Sequence, residues 1–129
     1  PRLLAGSEGT LGLFTEATLH TTPLTAHRGV VLILFGEMEA ALRAVQVISP
    51  QQPSACDLLD RRLLSLAREA DDRFEKLISP AAETALIVEQ TGYSDQQVRR
   101  RIEMIVQSVR SLGIARDDLL GVVQGRRLC

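Results

Sequence analysis

Six successive apolar residues, VVLILF at 30–35, constrain this chain more than any other feature. A strand with water on one side alternates in polarity. A strand that is apolar throughout must be covered on both faces, as the central strand of a layered domain is. Gly36 ends the run, and the next segment supplies cover. Met38, Ala41, Leu42, Val45 and Ile48 recur at helical spacing until Ser49-Pro50 stops the helix. Residues 51–54 read as loop and 55–59 as a second strand, with Asp60 placed to cap the next helix. Leu63, Leu64, Ala67 and Ala70 give that helix its apolar stripe. A further short helix falls within 71–79, where Phe74, Leu77 and Ile78 are interspersed, and Pro80 closes it.

A third strand, ALIV at 85–88, runs on to Glu89 and Gln90, and Gly92 marks a turn. Ser94 and Gln97 stand at capping-box spacing and open the strongest helix. Val98, Ile102, Ile105, Val106, Val109 and Leu112 share one of its faces, and Gly113 is its stop signal. Residues 119–123 suit a fourth strand, and 125–129 read as a frayed end. The order from residue 30 predicts an α+β fold of the ferredoxin-like, split βαβ kind. Alternation alone also allows a small three-layer α/β domain.

Upstream lies a different texture. The stretch from Gly6 to Ala17, GSEGTLGLFTEA, packs three glycines into seven residues. Glycine lets a ligand or a second strand approach the main chain closely, and a turn rich in N–H groups can cradle phosphate. Leu13, Thr15, Ala17, Leu19 and Thr21 then alternate with Phe14, Glu16, Thr18, His20 and Thr22, which predicts a strand with one drier face. Residues 21–28, with Pro23 and no period, read as a linker between domains. Taken by itself, a glycine-rich turn can also be a turn with no ligand.

The order of residues in GSEGTLGLFTEATL closely resembles the second cofactor-contacting segment of FAD-linked oxidases of the vanillyl-alcohol-oxidase/p-cresol-methylhydroxylase type, in particular the glycolate oxidase, D-lactate dehydrogenase and D-2-hydroxyglutarate dehydrogenase group. Leu13 and Phe14 replace the usual Ile and Val or Ile, and both keep the segment apolar. Residues 56–62 (CDLLDRR) resemble the family's E-L-L-D-R stretch, and 85–89 (ALIVE) its L-L-V-E strand, so the likeness extends over about 4–113. It implies the C-terminal end of a PCMH-type FAD-binding domain at 1–26. It also implies the N-terminal part of a ferredoxin-like cap domain at 27–129. Glu8, Gly9, Thr10, Leu11, Gly12, Leu13 and Phe14 would line FAD, largely through backbone groups, with Gly6 and Ser7 flanking them. Glu8 is expected to bond a backbone N–H or a ribose hydroxyl rather than face a phosphate.

The resemblance further implies a parent enzyme that oxidises a small 2-hydroxy acid of the glycolate or D-lactate kind. Residues 60–69 (DRRLLSLARE) resemble members fused to a C-terminal iron–sulfur unit, which implies a 4Fe–4S cluster outside this segment. The family's upstream P-G-G phosphate segment and its downstream histidine-rich motif are not in these residues. This stretch is therefore expected to hold no catalytic residue and, in isolation, to be colourless. It starts at Pro1, which reads as a piece of something longer.

Composition narrows the alternatives. A net charge of −1 and only Phe14, Phe35, Phe74 and Tyr93 as aromatics give no platform for nucleic acid. Cys56 and Cys129 have no metal-ligand spacing. Cys56 reads as a buried reduced thiol, and a cytoplasmic location is the default, with membrane association only through partners. No signal peptide or apolar run of membrane-spanning length is visible. The G-x-x-x-x-G-K-[ST] pattern is missing and no Lys follows the turn, which excludes a P-loop. His20 and His27 read as surface and loop histidines, and Arg99, Arg100 and Arg101 as a solvated face paired with Asp95 or Glu103 or a docking surface. Glu89 reads as a half-buried, paired carboxylate. The competing function is a ferredoxin-like binding or dimerisation module without flavin, since exposed sheet edges invite a homodimer of the piece.

Overall fold

A computed structural model describes residues 2–22 and 25–114, and the backbone of 119–126. The apolar run forms the centre of β1 (His27–Phe35). It is followed by α1 (Met38–Ile48), a 3-10 turn (Ser49–Gln51), β2 (Ala55–Asp60), α2 (Arg61–Ala70), α3 (Asp72–Leu77), β3 (Thr84–Gly92), α4 (Asp95–Ser111) and β4 (Leu119–Arg126). The four strands form one sheet in the order β2-β3-β1-β4. β3 is antiparallel to both β1 and β2, so β1 and β2 run parallel with β3 between them, which is the split βαβ arrangement. β4 closes the other side of β1, antiparallel, with a register shift at Leu34/Phe35.

One face of the sheet carries the main core. Val31, Ile33 and Phe35 of β1 and Leu86 and Val88 of β3 pack against Ala40, Ala41, Ala44 and Ile48 of α1 and five residues of α4. Those five are Val98, Ile102, Ile105, Val106 and Val109, the α4 stripe read from the sequence apart from Leu112, which is exposed. Full burial of such side chains contributes about 1.5–3 kcal/mol each. The opposite face is covered over one half only. There Leu34 and Ala85 meet Leu64 of α2 and Ile78 and Ala82 after α3. Val30 and Ile87, further along the same face, are half-buried.

Local chemistry sets the helix ends. Asp60 Oδ1 accepts from Leu63 N at 2.8 Å, and Asp71 Oδ1 from Arg73 N at 2.8 Å. At α4, Ser94 Oγ accepts from Gln97 N at 3.2 Å, while Gln97 Oε1 accepts from Tyr93 N at 2.8 Å. The return bond thus lands one residue ahead of the cap, at Tyr93. Gly113 ends the helix at φ +62°, a backbone position that suits glycine.

Several expectations are corrected. The alternating segment 13–22 forms no strand and pairs with nothing among the described residues. Alternation marks a strand only where another strand supplies the ladder. At the other end of the expected linker, His27 and Arg28 already belong to β1, because β3 extends far enough to pair with them. In α1 the face against the sheet is alanine-rich. Met38 and Leu42, placed on it by hydrophobicity, are 42% and 52% exposed, because the helix approaches closely through its small residues. In α2 only Leu64 is fully buried, and Leu63 lies on the outer side. The expected frayed end is partly strand, since Gly125 and Arg126 belong to β4, and residues 127–129 lie outside the described ones, as does Pro23.

Candidate functional site

The glycine-rich stretch is an exposed loop with a folded start. Ser7 N donates to Leu4 O at 3.2 Å and Thr10 N to Ser7 O at 2.9 Å, giving two successive turns. Gly6 and Gly9 sit at φ +84° and +81°, and Glu8 between them at +49°. A Cβ at either glycine would be strained by that backbone. It would nevertheless meet no atom within 4 Å, and Gly12 is equally open. The Thr10 hydroxyl donates to Ser7 O at 2.6 Å, so it stabilises the turn and presents only its lone pairs outward. From Leu11 to Phe14 the main-chain N–H groups make no hydrogen bond among the described residues. Leu13 is 90% exposed.

A dinucleotide lying along a main chain needs those conditions: uncommitted N–H donors, no Cβ in the way and apolar side chains free to face a ring. The loop from Gly6 to Phe14 fits such a group. The nine residues expected to meet the cofactor, Gly6 to Phe14, are consecutive and make up this loop.

The other candidate side chains are scattered. His20 is exposed in the arm. His27, at the first position of β1, places Nδ1 2.9 Å from Asp95 Oδ1 at the start of α4. Arg101 Nη1 donates to Thr91 O at 2.7 Å, so one member of the Arg99–Arg100–Arg101 run ties α4 to the end of β3. Glu89 is half-buried as expected, and its partner, which sequence spacing did not disclose, is Arg28. The Arg28 Nε lies 3.4 Å from Glu89 Oε2. Register explains the meeting: Glu89 stands opposite Val30 across the β1–β3 pair, one strand step from Arg28 on the same face. Cys56 packs against the main core, and burial, with a smaller contribution from Asp57, pushes its thiol pKa up.

On the helical side, a shallow groove of about 720 Å³ runs between the end of α1 and α4, lined among others by Val47, Arg101 and Ser108. Among the described residues no cluster of three or more His, Cys, Asp or Glu could hold a metal, and no helix is long and apolar enough to cross a membrane.

These features define an α+β sheet domain preceded by an exposed glycine loop. Residues 24–124 match the family described as FAD linked oxidases, C-terminal domain, and the chain belongs to that family. Similar proteins include the D-2-hydroxyglutarate dehydrogenase of Pantoea ananatis (strain AJ13355), 32% identical over 99% of this chain and 13% of that protein. The glycolate oxidase subunit GlcD of Bacillus subtilis (strain 168) is 32% identical over 81% of this chain and 22% of its own length. The D-lactate dehydrogenase of Archaeoglobus fulgidus is 28% identical over 78% of this chain, again 22% of its own length. The chain thus spans between 13% and 22% of these three relatives.

Proposed function

We propose that this chain is the junction of an FAD-dependent oxidoreductase acting on a small 2-hydroxy acid. Residues 1–26 end the FAD-binding domain, and 27–129 begin the cap that roofs the reacting part of the cofactor. The observation that carries the reading is the family match over 24–124, directly behind an exposed glycine loop. Glu8 to Phe14 hold the cofactor through the main chain, with Gly6 and Ser7 shaping the turn. Backbone N–H groups suit a pyrophosphate because they bring partial positive charge without a mobile side chain. The chemistry FAD supplies when bound is hydride acceptance from the 2-hydroxy acid, with electrons leaving to a carrier or to an iron–sulfur unit elsewhere in the parent. What this chain contributes is position: a loop for the cofactor and a sheet face to exclude water above it.

The test is flavin content. The intact parent protein should be yellow, with absorbance in the flavin bands. Gly9→Val places a β-branched residue at φ +81° and should abolish flavin loading while the cap domain still folds. Normal flavin content in that variant refutes the assignment of the loop. A colourless wild-type parent refutes the flavin reading altogether and favours a binding or dimerisation module.

A further inference from the structure

We draw no further inference here: the strongest candidate, the shallow groove between the end of α1 and α4 that Gln51, Arg101 and Ser108 line, carries none, because nothing in the structure shows what covers it.

Discussion

Gly29 offers the sharpest test of the packing. It lies in β1 on the face that meets α4, at a backbone position any residue can adopt. A Cβ built there would lie 2.5 Å from Ile102 Cδ1 and 2.7 Å from Val98 Cγ1. Ile102 can swing its terminal methyl, but the Val98 rotamer is locked by the helix that carries it. Overpacking of this kind costs about 1–3 kcal/mol. Removing the chain freedom of glycine returns about 0.4–1 kcal/mol. Gly29→Ala should therefore destabilise the 129-residue chain by about 1–2 kcal/mol, which lowers Tm by roughly 3–6 °C for a domain of this size. Urea unfolding followed by circular dichroism measures it, and the m-value should not change. Gly12→Ala, with nothing within 4 Å of its Cβ, is the neutral control. Combining Gly29→Ala with Val98→Ala should cost less than the sum of the two alone by at least about 0.5 kcal/mol, since the second change removes the obstacle. Equal stability of Gly29→Ala and wild type, or strict additivity of the pair, would show that β1 and α4 are not in the contact described.

Two further expectations concern helix ends. Ser94→Ala removes the acceptor of the Gln97 N–H and should lower stability by about 1 kcal/mol, with faster amide exchange confined to the first turn of α4. Unchanged exchange there would mean that the bond from Tyr93 N to Gln97 Oε1 suffices. Asp71 is held by the side chain of Arg73 and by its backbone N–H, which lowers its carboxyl pKa from 3.8 to about 2. A depressed pKa means that the cap supports α3 above the ordinary carboxylate range and is lost as pH falls from about 4 through about 2. Carboxyl NMR should find that midpoint together with fraying of α3, and a titration centred at the ordinary Asp value would refute the cap.

Much of this fold is legible because periodicity and capping agree in the same segments. In α4 the buried stripe, the Ser94 cap and the Gly113 stop all point one way, and the structure departs from the reading only at Leu112. The order of strands followed from the order of patterns once a split βαβ unit was assumed. Four things were not legible, for separable reasons. In α1, Ala41, Val45 and Ile48 face the core as read, but Met38 and Leu42 do not, because alanine is ambiguous on a hydrophobic scale and closeness to the sheet, not apolar bulk, selects Ala40 and Ala44. The strand at 13–22 needs a ladder that the described residues do not contain. The Arg28–Glu89 pair joins residues far apart in sequence, and only the β1–β3 register brings them together. In the glycine loop the residue types were readable, but not the fact that the Thr10 hydroxyl is spent on Ser7 O.

The two faces of the sheet are covered unequally. A bare β-α-β-β-α-β unit joins β2 to β3 by a hairpin and leaves one whole sheet face open. Here α2 and α3 occupy that connection, and Leu64, Ile78 and Ala82 cover the half of the face around Leu34 and Ala85. Had the cover extended over the other half, Glu89 would have been sealed in with an apolar helix above it, at a cost one contact to Arg28 would not offset. The half that stays open is the one holding the charged pair, and β1 begins there, at His27, where the arm that carries the glycine loop runs in. The loop and that open half are separated in sequence by residues 15–26.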